Sequence, residues 1–103
     1  MADKRALILD TRDNVATLLE AAEPGDCIMA EKLEQPLAAG DSIPYGHKIA
    51  LAPIADGDDI NKYGQRIGRA TADIPAGSRV HVHNMQSAVD ITFKHRLDNR
   101  GAS

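Results

Sequence analysis

The chain has 103 residues and a mass of 11.0 kDa, which supports one domain with a modest core. Its formal net charge is -3 and no basic run is interleaved with aromatics, so a nucleic-acid footprint is excluded. It has two Tyr, one Phe, no Trp and one Cys, so the core must pack backbone closely on backbone and no internal disulfide can form.

Taken in chain order, Ala6-Leu7-Ile8-Leu9 reads as a first strand. Four apolar residues are too few for a signal-peptide core, and no later run approaches a membrane span. A cytoplasmic chain is therefore expected. Asp13 to Ala22 has the look of a capped helix halted by Pro24-Gly25. Yet Val15 to Gly25 aligns without a gap on Ile67 to Gly77, where Ile67-Gly68-Arg69-Ala70-Thr71 is a poor helix. The repeat outweighs local propensity and predicts a strand opening at Val15, followed by a helical turn near Glu20-Ala21-Ala22. Cys27 has no basic neighbour to activate it and reads as a small buried side chain.

Four glycines recur in one frame: Gly25, Gly40, Gly57 and Gly77 are each followed by Asp or Ser, then by a residue that leads into Ile or Val. Such frames predict turns with a positive φ at glycine, each opening a strand. Asp41, Asp58 and Asp73 are expected to cap these turns. A second repeat pairs Tyr45-Gly46-His47-Lys48-Ile49-Ala50 with Tyr63-Gly64-Gln65-Arg66-Ile67-Gly68. Both tyrosines are expected half-buried on strands, with hydroxyls reaching backbone. Arg79-Val80-His81-Val82-His83 alternates strictly and predicts a late strand with the valines inward. Ala88 to Phe93 is a candidate last strand, and Asp98 to Ser103 a frayed end. The whole reads as a mainly β single domain of short strands and tight turns.

The chemistry concentrates in histidines. On a strand, His81 and His83 project from one face and can hold a metal, grip a carboxylate or move protons. Asn84 adds a donor and an acceptor. His47-Lys48 follows the bend at Pro44 and Gly46, while the matching site of the second repeat carries Gln65-Arg66, so the scaffold does not itself require His47. Lys48 suits a small anion. His95, within Lys94-His95-Arg96, reads as surface.

Four strings occur in order: Gly46-His47-Lys48-Ile49-Ala50-Leu51, Lys62-Tyr63-Gly64, Ile67 to Ile74, and His81-Val82-His83-Asn84. Together with Asp13-Asn14-Val15-Ala16 they resemble the SAF-type N-terminal domain of the altronate and galactarate dehydratase family, over roughly residues 6–86. The resemblance implies a β-clip fold at 1–86 and a C-terminal extension or partner-contacting tail at 87–103. It implies loss of water from a sugar acid to give a 2-keto-3-deoxy acid, with a divalent metal such as iron(II) held mainly by a large catalytic subunit. His47, Lys48, His81 and His83 become the candidate catalytic residues, Lys48 and Asn84 the candidate substrate-binding ones, and His81 and His83 the candidate metal ligands. A close relative of the family, the sulfolactate sulfo-lyase small subunit, implies the alternative of sulfite as leaving group. A non-catalytic SAF module that binds a carbohydrate or other ligand is the second alternative, and self-association stays open.

Overall fold

A computed structural model describes residues 2–87. Nine strands form in chain order: β1 Asp3–Leu7, β2 Val15–Leu18, β3 Cys27–Met29, β4 Leu37–Ala38, β5 Lys48–Ala50, β6 Asp59–Lys62, β7 Gln65–Ala70, β8 Arg79–Val80 and β9 Met85–Ser87. There is no helix among the described residues, and so none long and apolar enough to cross a membrane. One sheet runs β4-β3-β1-β2-β5-β8 and the other β6-β7-β9. Every pairing is antiparallel except β1 with β3. The mainly β architecture expected from the turn pattern is the one observed.

The contested segment is a strand for a reason visible in its burial. Val15 packs into one apolar cluster and Ala16 into another, and their partners Ala50 and Ile49 divide the same way. Both faces of β2 and β5 are thus buried, and the two strands form the wall between two small cores. A surface helix has one apolar stripe and cannot serve both. The helical turn expected at residues 20–22 is absent. Ala22 instead forms a bridge to Ile43, as Ile54 does to Ile74. Neither cluster contains an aromatic residue. Small residues allow the close backbone approach that the composition demanded: a Cβ on Gly68 would meet the Gln86 carbonyl oxygen, and one on Gly77 that of Ala38.

The turn repeat is real, but one of its members differs from the expected set. Gly25, Gly57 and Gly77 have positive φ; Gly40 does not, and its place is taken by Gly46 at 81°. The four equivalent turns are Glu23–Asp26, Pro44–His47, Ala55–Asp58 and Pro75–Ser78. Each closes with an N–H to carbonyl bond from its last residue to its first, at 3.0–3.2 Å. In each, the glycine N–H donates to a carbonyl at or just past the end of a strand, of Ala39, Leu18, Ala70 and Ala50 respectively, and that residue donates back to the residue after the glycine. Gly40 sits where two such units meet, donating its N–H to the Gly77 carbonyl. Asp58 caps its own turn by accepting the Ala55 N–H, whereas Asp41 and Asp73 reach across the fold to the N–H groups of Arg79 and Asp56 rather than capping the turns beside them.

The Tyr-Gly repeat does not survive as a shared structure. Tyr63-Gly64 is the two-residue loop of the β6–β7 hairpin, with φ of 56° and 77°, the signature of a type I′ turn. Tyr45 lies in the turn before β5 and is 71% exposed. Cys27 is half-buried rather than buried. The late strand stops at Val80, and Val82 is 78% exposed instead of inward. The cause is Asn84. Its Oδ1 accepts the His81 N–H at 2.9 Å and its Nδ2 donates to the Arg79 carbonyl at 2.8 Å, which closes a turn and sends the chain back into β9. The candidate strand at 88–93, the end at 98–103, His95 and most of the 87–103 extension lie outside the described residues.

Candidate functional site

The β5–β8 pairing sets the site. Lys48 is opposite Val80 and Ile49 opposite Arg79. One step beyond the last pair, His47 and His81 face each other as both strands end. Their rings stack with centroids 4.7 Å apart and planes 29° from parallel. The sequence brings His81 together with His83 through strand periodicity; the structure brings it together with His47 through register. His81 and His83 lie on a turn, not on one strand face, and His83 is exposed while His81 is half-buried.

His47 is available because of the residue three before it. In the first and third turns the residue after glycine is Asp26 or Asp58, whose Oδ2 accepts the N–H of Glu23 (2.9 Å) or Ala55 (3.2 Å). In the second and fourth turns that first residue is Pro44 or Pro75, which has no N–H. No capping carboxylate is required there, so His47 and Ser78 occupy the position. The string Ile-Pro-x-Gly, at Ile43–Gly46 and Ile74–Gly77, carries this signal in the sequence, and the Tyr-Gly comparison overlooks it. The Nδ1 atom of His47 is buried and has no hydrogen-bond partner among the described residues. Such a polar atom calls for an occupant.

Lys48 is half-buried at the start of β5, opposite Thr17 of β2. Burial lowers its pKa from the ordinary lysine value, and the charge of Lys62 lowers it further. His81 is also held below its ordinary value, first by desolvation, then by His47, Arg79, Lys48 and His83. All four named neighbours are basic groups. A chain with a net charge of -3 has therefore gathered cationic and imidazole groups of its described residues at one corner. Lys62 and Arg79 belong to that corner and are missed by reading motifs one at a time. Lys62 lies within the Lys62-Tyr63-Gly64 string, which was the available sign.

Asn84 is 9% exposed and uses both ends of its amide on the backbone of its own turn. Its geometry fits orientation of His81. The metal expectation meets a similar test. Among the described residues, no group of three or more His, Cys, Asp or Glu side chains is arranged to hold a metal ion. A complete metal centre does not fit these residues alone.

The comparisons with known proteins agree on a family. The model of the altronate/galactarate dehydratase SAF domain matches residues 4–88. The chain is 37% identical to the altronate dehydratase of Bacillus subtilis over 84 residues, 82% of this chain and 16% of that protein. It is 40% identical to the altronate dehydratase of Escherichia coli over 75 residues, 73% of this chain and 15% of that protein. It thus spans about one sixth of the length of these dehydratases. Against the (2R)-sulfolactate sulfo-lyase subunit alpha of Chromohalobacter salexigens the identity is 31% over 86 residues, 79% of this chain and 92% of that subunit.

Proposed function

The chain belongs to the altronate/galactarate dehydratase SAF-domain family, and from that premise we propose that it is the small subunit, or N-terminal domain, of a sugar-acid dehydratase. The reaction removes water from an aldonate or aldarate to give a 2-keto-3-deoxy acid. The observation that carries this reading is the corner itself: stacked His47 and His81, Lys48 beside them, and a buried imidazole nitrogen with no partner among the described residues.

Elimination next to a carboxylate requires a base to take the α-proton and an acid to protonate the departing β-hydroxyl. The C–H pair becomes the new C=C bond, the C–O bond breaks, and the resulting enol rearranges to the 2-keto acid. Lys48 holds the carboxylate in this scheme, and its partial burial strengthens that contact. The imidazoles of His47 and His81 serve the proton transfers, with His83 at the exposed rim. Asn84 fixes His81 from behind. The remaining groups come from a large region or subunit that completes the site. A divalent metal such as iron(II), if used, takes its ligands mainly from there, and no step above is routed through it. Work in the cytoplasm accords with this role.

A second reading has its own observation. The near-complete overlap with a sulfo-lyase alpha subunit suits a chain that acts as a separate small subunit, with sulfite leaving in place of water. Co-purification from the native host, then assays with altronate, galactarate and (2R)-sulfolactate, separates the two. A partner of large-subunit size and turnover on one of these acids is expected. In that complex Lys48→Met and His81→Ala should each lower turnover by about 100-fold or more. Full turnover in both His81→Ala and His83→Ala overturns the histidine assignment. A lone monomer in undisturbed lysate favours the non-catalytic ligand-binding module.

A further inference from the structure

A second lysine, Lys62, lies within electrostatic reach of Lys48, and its placement is braced by defined contacts. Lys62 ends β6 and precedes the hairpin loop. Its Nζ lies 5.0 Å from the centroid of the Tyr63 ring, within cation–π range. Tyr63 Oη donates to Thr17 Oγ1 at 3.1 Å, and Thr17 is the direct partner of Lys48 across β2 and β5. Asn14, just before β2, fixes the same hairpin from its other end. Its Nδ2 donates to the Asp59 carbonyl and its Oδ1 accepts the Asn61 N–H, both at 2.8 Å. The two lysines are therefore brought together by defined contacts between β2, β5 and β6.

Two features show that this arrangement has a cost. Tyr63 sits at a positive φ, where Asn, Asp or Gly would be less strained. Its ring and hydroxyl do what those residues cannot, seating Lys62 and reaching Thr17. The lysines also repel, and among the described residues neither takes part in an ion pair; the three pairs present join Arg5 to Glu20, Arg12 to Asp10 and Arg66 to Asp59. Two like charges without an ion-pair partner among the described residues, on a chain with more acids than bases, suit an anion that spans both, although Asp13 meets the same hairpin at the Gly64 N–H.

We propose that Lys48 and Lys62 form a two-cation seat, braced by Tyr63 and Thr17, that selects ligands carrying two negative charges, with Lys62 as the specificity-determining residue. This rests on the corner being an anion site. Lys48 takes the carboxylate next to the reacting carbon, and Lys62 takes the second anionic group. A hydroxy acid with an acidic group at each end fits this seat better than one with a single carboxylate.

The test is an NMR titration of the full chain at fixed ionic strength with two probes: tartrate, a dianion, and glycerate, a monoanion. Tartrate is expected to shift signals of Thr17, Lys48, Lys62 and Tyr63 and to bind about fivefold tighter than glycerate, the scale of one partly exposed ion pair. Lys62→Gln should remove that preference by weakening tartrate far more than glycerate, and Lys62→Arg should restore it. A preference that survives Lys62→Gln, or an equal loss for both probes, overturns the proposal. Glycerate shifting the His47 and Lys48 signals with no gain for tartrate overturns the dianion seat alone. No shift at the corner with either probe overturns the anion site itself, and the seat with it.

Discussion

Proline at positions 44 and 75 removes the N–H that Glu23 and Ala55 present in the equivalent turns, and the consequence falls on the residue after the glycine. Where the N–H remains, Asp26 and Asp58 are tied down as caps. Where it is gone, an imidazole can stand just before β5. Asp26 shows what the cap contributes. Its carboxyl accepts N–H groups from Glu23 and Ala2, and these two bonds, the first the larger, hold its pKa below the ordinary 3.8. The folded chain thus binds this proton less tightly than the unfolded one. The stabilisation is fully present above the unfolded value and is lost as pH falls through the folded value. Asp26→Asn is expected to lower Tm at pH 7, with the gap to the parent closing in acid. Thermal scans across pH check this, and a gap that stays constant at every pH counts against the account.

At the scale of elements, side-chain size decides how near the strands come. β7 and β9 pair Gly68 with Ser87 and Arg69 with Gln86, and a Cβ on Gly68 would run into the Gln86 backbone. Gly68→Ala should therefore cost about 1–3 kcal/mol, the range for overpacking, despite the smallness of the added methyl. Urea unfolding measures it, and a variant as stable as the parent would show that β9 yields freely. The β6–β7 hairpin was hidden by the Tyr-Gly comparison, which put Tyr63 on a strand, although Gly64 between two strand-like runs is the mark of a tight turn. The ending of β8 was not legible either. Strict alternation through Val82 argued for a longer strand, and the Asn84 side chain overrode it with two hydrogen bonds that no periodicity records. The fate of residues 13–22 was legible only through the repeat, since local propensity favoured a helix that the two-sided burial of β2 forbids.

Across the whole molecule, β2 and β5 belong to both apolar clusters and couple them. Damage to either cluster should then weaken the same cooperative unit. Ile28 and Ile60 are fully buried in different clusters. Ile28→Ala and Ile60→Ala are each expected to cost about 2–5 kcal/mol and to shift one shared unfolding transition. Two separate transitions in either variant would mean that the cores melt independently. The same wall sets the site at its edge: Thr17 and Lys48 extend β2 and β5 past the buried pairs, and the hairpin of β6 and β7 leans on them there.

By itself the sequence determined the mainly β class, most of the turn repeat, the Asp58 cap and the family, because these depend on short-range chemistry and ordered strings. It also supplied His47, Lys48 and His81 as candidates. Which of them meet was decided only by tertiary structure. His47 and His81 are 34 positions apart in the sequence and stack because β5 and β8 pair in one register, while Lys62 reaches the corner through a hairpin anchored by Asn14. Such contacts depend on strand register and on long-range hydrogen bonds, which local periodicity does not encode.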